Sequence, residues 1–368
     1  MNIQRLMAAA MIIFILVLGG LIFIGKGDMD KDETNERVRV GVLLNGECDD
    51  GSWGESHYRA LESIKNEMGL DIIYRENVPE DETCQAVIQE LIDSDCSIII
   101  AASYNYGEYV KKMAEKYPKV YFLHATGVDH SENLSTYFGR IYQMRYLSGI
   151  VAGMNTESGD IGYVAAYPIS EVNRGLNAFT RGVRSVRPDA KVYAIFTNDW
   201  NSDEITRASA ERLLSIKPDI DVMSMHTDSL AVLDCCEERG GIKTVGYNTD
   251  NASDYPDTYL TAAVWDWSPF YRKQITSCIQ DKFYGNHYWM GLEDGIMDLS
   301  PFTGNVKEGT EEAVEKARQR LESGTWDVFY GLIRDNKGNT RIGEGEAMSD
   351  DDMLNSFDWY VEGVIVVE

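Results

Sequence analysis

The chain has 368 residues, 44% hydrophobic and 26% charged, with a formal net charge of -26. That length suits two domains of ordinary size, and the composition supports a packed core rather than a disordered chain. A surface this acidic repels phosphate backbones, which makes nucleic acid a poor partner.

The first element is apolar. Leu6 to Gly25 carries no charge and lies between Arg5 and Lys26, long enough to match the roughly 20 residues that span a bilayer. Residues 1–27 are expected to be a signal peptide or an uncleaved signal anchor, the anchor being favoured, and no cysteine near its end offers a lipidation site. The polar, acidic stretch 28–37 follows as a linker. The rest is then expected outside the cytoplasm, tethered to the cell membrane, or secreted or periplasmic if the segment is cleaved.

Val38, Val40, Val42, Leu43 and Leu44 read as a buried parallel strand. A polar loop through Asp50 follows, then a helical pattern with Leu61, Ile64 and Met68 on one side. Strands at 71–74, 97–101 and 120–123 alternate with helices at 82–92 and 108–116. A second run has helices at 142–154, 171–186, 202–216 and 230–239, and strands at 161–165, 191–196, 222–225, 244–247 and 258–263. Two consecutive α/β runs of similar size predict two doubly wound parallel-sheet lobes with a ligand cleft between them. Lobe 1 is assigned 38–140 plus a return segment within about 268–325, and lobe 2 is assigned 141–267 plus 326–368. Asp335 to Asn339 has the composition of a hairpin turn, and 364–367 reads as a last strand.

Six cysteines and five histidines are scattered. No Cys/His cluster has zinc spacing, so no metal or other cofactor is expected. Cys235 and Cys236 are expected to pack within a helix, with a disulfide possible outside the cytoplasm. No GxSxG, Walker A, GxGxxG or HExxH pattern occurs, so no catalytic residue is assigned. The sequons at Asn133 and Asn251 read as chance matches.

Candidate ligand-binding residues share a position. Trp53, Tyr104, Trp200, Asp228, Asp250 and Trp265 all follow predicted strands at their carboxyl ends, where open α/β sheets bind ligands, and Asp50 shares the loop of Trp53. Indoles offer stacking faces and carboxylates accept from ring N–H, amino or hydroxyl groups, a combination suited to a planar, neutral, nitrogen-rich ligand. Each Trp alone is better explained by packing, and Asp228 or Asp250 alone is equally well explained by helix capping. Their joint placement carries the reading.

Several stretches resemble the basic membrane protein family of periplasmic-type substrate-binding proteins. They include Asp50-Gly51-Ser52-Trp53 with His57, AASYNYGEYV, YFGRIYQMRYLSGIVAGM, IGYVAAYPISEVNRGLNAFTRGVRSVRPDAKV, NDWNSDE, HTDS, VGYNTD and VWDWSPFY. The resemblance covers essentially residues 38–368. It implies a type I periplasmic-binding-protein fold that traps a purine between aromatic side chains and, as a monomer, delivers it to an ABC permease. It places Trp53 and Trp200 at the stacking positions and Asp250 at the position that nucleoside receptors use on ribose hydroxyls, with Asp228 and Tyr104 at cleft positions. The chain departs from nucleoside receptors where an SFNQ-like motif is replaced by Ser52-Trp53-Gly54-Glu55, and where a Lys is replaced near Trp265. The departures favour a free purine base over a nucleoside. A membrane-tethered sensor module of the same fold is the alternative.

Overall fold

The computed structural model describes residues 37–368. The expected anchor and nearly all of the linker lie outside them. Among the described residues no helix is long and apolar enough to cross a membrane.

The first sheet takes β1 (Val38–Leu43), β2 (Leu70–Arg75), β3 (Ile98–Ala101), β4 (Tyr121–Ala125), β5 (Leu134–Gly139) and β11 (His287–Met290). The second takes β6 (Asp160–Ala165), β7 (Lys191–Phe196), β8 (Val222–His226), β9 (Lys243–Asn248), β10 (Tyr259–Trp265), β12 (Met297–Leu299) and β15 (Val364–Val366). Their orders are β11-β5-β4-β3-β1-β2 and β12-β10-β9-β8-β6-β7-β15. Apart from β12, which runs antiparallel to β10, every neighbour in both sheets is parallel. The run β2-β1-β3-β4-β5 repeats as β7-β6-β8-β9-β10, so each sheet reverses its order beside its first strand. Such a reversal opens a crevice at the strands' carboxyl ends. The two doubly wound sheets are the expected fold.

Central strands are buried on both faces, as helix-covered parallel strands must be, whether aliphatic throughout as in β3 or mixed as in β8, which places Ser224 and His226 among Val and Met. Three strands, β5, β11 and the short β12, were not legible in the sequence. β5 is buried along its whole length, but its Ser, Thr and Gly dilute the apolar signal. β11 is short and lies at an edge. Asn133 beside β5 is buried, its amide donating to the carbonyls of Ala114, Tyr117 and Val120, and Asn251 is buried too.

The chain passes between the sheets at 139–142, 265–268 and 290–297. Residues 268–290 return to the first sheet, where the helix Ser268–Ile279 packs on α1 (Trp53–Met68) and β11 joins β5. From β12 onward the chain lies against the second sheet. β13 (Ile333–Arg334) and β14 (Thr340–Ile342) form the expected hairpin, and β15 completes the edge beside β7. Cys235 and Cys236 are buried thiols in the helix Ala231–Arg239.

The helix Tyr142–Asn155 opens the second lobe and is buried on almost every side. It crosses the helix Ser170–Val186 at backbone contact. A Cβ at Gly149 would stand 2.1 Å from the Phe179 carbonyl oxygen, and one at Gly182 would stand 2.0 Å from that of Tyr146. Only glycine permits this approach, since neither carbonyl oxygen can move aside without breaking its helix. Gly182→Ala should therefore cost at least about 1–3 kcal/mol, seen as a lower denaturant midpoint at an unchanged slope. A variant as stable as the parent would contradict the contact.

Candidate functional site

The loop after β1 is organised by Asp50, whose carboxylate accepts the backbone N–H groups of Ser52 (2.7 Å), Gly54 (2.8 Å) and Glu55 (3.0 Å). These are unpaired donors at the start of α1, so Asp50 caps it and fixes where Trp53 emerges. Burial pushes the Asp50 carboxyl up against the pull of those three donors.

Trp53 turns inward. Its Nε1–H donates to the Ala102 carbonyl at 2.7 Å and only 9% of the residue is exposed. The ring meets His57 edge-on at 4.4 Å and Trp265 edge-on at 6.2 Å. Trp265 stacks on Trp267 at 4.4 Å, and Trp267 lies flat on His57 at 5.2 Å. This aromatic block fills the space where the chain passes between the lobes, and edge-to-face and offset contacts of this kind fix ring positions. Burial lowers the His57 pKa to about 3, and its Nδ1 bonds the Tyr271 hydroxyl at 2.6 Å, so it packs as a neutral ring.

The node that ties these parts together is Asn248, the last residue of β9, which the sequence reading passed over. Its backbone is left-handed, φ +71°, a conformation that Asn tolerates better than most L-residues. That turn aims its buried amide across the lobes: Nδ2 donates to Ser52 Oγ (2.9 Å) and Asp228 Oδ1 (2.9 Å), while Oδ1 accepts from Trp265 Nε1 (3.1 Å). Beside it, Asn251 Nδ2 and the Thr249 hydroxyl donate to the Gly51 carbonyl. Gly51 itself has φ +66°, and a Cβ there would meet the Leu230 side chain at 2.7 Å.

The second lobe supplies the opposite wall. Half-buried Trp200 packs on Tyr167 (5.9 Å) and His226 (6.3 Å), and its carbonyl accepts the Asp228 N–H at 2.8 Å. His226 closes the end of β8: Nε2 bonds Glu171 at 3.1 Å, and Nδ1 meets the Tyr163 hydroxyl at 3.0 Å. Burial and the nearby Arg145 lower His226 to about 4, so it is neutral, with Nε2–H donating and Nδ1 accepting. Glu171 is held below the usual carboxylate range, because His226, Arg174 and Arg145 outweigh its burial. The Asp228 carboxyl is raised well above it by burial and by the field of Asp50, Glu171 and Glu80, against the Asn248 hydrogen bond.

The fold thus brings together Asp50, Trp53, Trp200, Asp228 and Trp265 around Asn248. Tyr104 stands apart, 61% exposed in the turn after β3. Asp250 is exposed, its carboxylate accepting the N–H of Ala252 in its own turn, and it lines a cavity of about 430 Å³ with Arg59, Asp266 and Trp265. β9 ends two residues before Asp250, so Asn248 takes the inward position that the charged residue was expected to fill. Glu171 and His226 were also missed, although both sit where the topology opens the crevice: Glu171 in the first turn of the helix after β6, His226 at the end of β8.

Two repeated doubly wound lobes with polar and aromatic groups gathered at the carboxyl ends of their strands define a solute-binding protein. The family model for "ABC transporter substrate-binding protein PnrA-like" matches residues 37–324, and the chain belongs to that family, Bmp. The chain is 32% identical to the purine-binding protein BAB2_0673 of Brucella abortus over 89% of its length and 93% of the relative's. It is 31% identical to a putative ABC transporter glucose-binding protein of Haloferax volcanii, over 89% and 81%. Among solved structures, a transcriptional activator of the comK gene from Bacillus halodurans superposes with a TM-score of 0.68 at 22% identity, covering 78% of this chain and 99% of that one. A solute-binding protein from Aeropyrum pernix does so with 0.64 at 18%, covering 78% and 86%. These two show the same fold.

The raised Asp228 pKa has a direct consequence. A carboxyl whose pKa is higher folded than unfolded binds its proton more tightly in the native state, so its contribution to stability is lost as pH rises through the folded value. Asp228→Asn keeps an oxygen for Asn248 and removes the charge. It should raise the melting temperature near neutral pH, and the gain should shrink as pH falls toward the ordinary aspartate value of about 3.9. An equal effect at all pH values in a melting series would contradict the shift.

Proposed function

We propose that this protein captures a purine-type ligand, a free base in preference to a nucleoside, between its lobes and hands it to an ABC importer. The observation that carries the proposal is the half-buried Trp200, whose ring packs on His226 at the end of β8 and whose carbonyl holds the N–H of Asp228, the partner of Asn248. A purine would lie on Trp200 and present its N–H and amino donors to Asp228 and Glu171, with Trp53 and Trp265 closing the hinge side and Tyr104 at the rim. Stacking contributes about 0.5–1.5 kcal/mol beyond area burial. An unpaired buried acceptor costs about 1–3 kcal/mol, which gives the carboxylates their selectivity. Delivery works by hinge closure of the two lobes, the protein acting as a monomer. Residues 1–27 tether it to the outer side of the membrane, in this reading.

The preference for a base rests on two features. Asp250, the residue matched to ribose recognition, faces solvent. The inward position is held by Asn248, with both amide donors already engaged by Ser52 and Asp228. The purine-binding name of the Brucella relative supports the ligand class.

A thermal-shift panel of adenine, hypoxanthine, guanine, their nucleosides and glucose tests this. Ligand at about 100 times its Kd adds about 2.7 kcal/mol, a rise of several degrees, and the rise should come with bases. A response to nucleosides alone would overturn the base preference, and one to glucose alone the purine reading. Trp200→Ala should weaken base binding by about tenfold, about 1.4 kcal/mol, with an unchanged far-UV spectrum; undiminished affinity in calorimetry would remove Trp200 from the site.

A further inference from the structure

Away from the cleft, the second lobe carries a concentration of positive charge that a chain of net charge -26 would not lead one to expect. A cavity of about 480 Å³ is lined by Arg181, Arg184, Arg320 and Arg334 and has Glu362 as its one carboxylate. These side chains come from two helices, Ser170–Val186 and Thr310–Glu322, and from the first strand of the hairpin. It shares no lining residue with the cleft.

The arginines are unequally served. Arg184 is paired with Glu362 at 3.0 Å and also donates to the Ala190 carbonyl. Arg334 makes a single 3.3 Å bond to the Gly338 carbonyl. Arg320 lies over the Trp326 ring at 4.1 Å, with no carboxylate partner among the described residues. Arg184 and Arg320 lie in the last turns of their helices, where a cation is favoured in any case.

Arg181 has no such explanation. It makes no hydrogen bond or ion pair among the described residues, and its Nε is buried without an acceptor. A buried guanidinium donor left unpaired is costly. Burial and the neighbouring Arg320 depress its pKa, against Tyr146, as expected of a cation lacking its counter-charge. Tyr146 and Trp326, rings 5.4 Å apart, form an aromatic wall to the same cavity.

We propose that this cavity is a second, anion-binding site that takes a phosphate group, held by the Arg181 and Arg320 guanidiniums with Arg334 at the rim. Guanidinium forks bind oxyanions through paired, charge-assisted hydrogen bonds. Four cations against one carboxylate leave an excess that a phosphate, at about -1.5 to -2 near neutral pH, balances better than a single carboxylate. The phosphate belongs either to a soluble ester or to a lipid headgroup.

Calorimetry of the full-length protein with inorganic phosphate, against chloride at matched ionic strength, tests the site. Saturable phosphate binding is expected, weakened about tenfold or more in Arg181→Gln and also in Arg320→Gln, an exposed position that leaves the fold intact. Base binding in the cleft should not change in either variant, which separates this site from the proposed function. If a headgroup is the natural ligand, the wild type should also sediment with phosphatidylglycerol vesicles in excess over phosphatidylcholine, and Arg181→Gln should lose that excess. Equal responses to phosphate and chloride with no vesicle preference, or phosphate binding untouched by both substitutions, would overturn the proposal.

Discussion

The Asn248 amide joins the parts of this molecule that form the proposed binding cleft. Its donors reach Ser52 in the first lobe and Asp228 in the second, and its oxygen receives the indole N–H of Trp265 where the chain passes between them. Three elements distant in sequence are thus registered by one side chain. The geometry depends on a left-handed residue at the end of β9, and a short amide is among the few L side chains that accept it at low cost. Left-handed backbone also follows β4 at Thr126 (φ +60°) and β7 at Asn198 (φ +56°). Backbone strain of this kind collects where side chains must be aimed.

Around Asp228 itself the nearby charges are acidic, with the buried Arg145 and Arg174 acting on Glu171 and His226. Asp50, Glu80 and Glu171 each push up the Asp228 pKa, while the buried histidines are neutral. A cleft of this character favours a neutral ligand with N–H donors and disfavours a phosphorylated one. The acidic chain as a whole points the same way, and the arginine cavity on the second lobe is the local exception. The aromatic block of Trp53, Trp265, Trp267 and His57 packs the end of the crevice where the chain passes between the lobes.

Much of the fold was legible because doubly wound sheets write themselves as apolar strands alternating with amphipathic helices. The helix expected at 202–216 forms as Asp203–Ile216, with the Ser202 hydroxyl accepting the Ile205 N–H as its cap. β5 escaped because both its faces are buried yet its residues are mixed. The site was legible to the level of loops. Trp53, Trp200, Asp228 and Trp265 do follow or end their strands on the carboxyl side, but a sequence does not display the direction in which a loop residue points. Asp250 was chosen for its charge, whereas the left-handed turn at Asn248 aims the amide inward and leaves the carboxylate in solvent. Asp50 was included because it shares the loop of Trp53, and its carboxylate serves first to start α1.

The most direct test of this account is the affinity for hypoxanthine of Asn248→Ala against the parent, by titration calorimetry with unfolding followed in parallel. Loss of the node frees Asp228 and Ser52 while leaving both sheets intact, so the account predicts cooperative unfolding with binding weakened about tenfold or more. A variant that binds the base as tightly as the parent would contradict the claim that this amide organises the cleft.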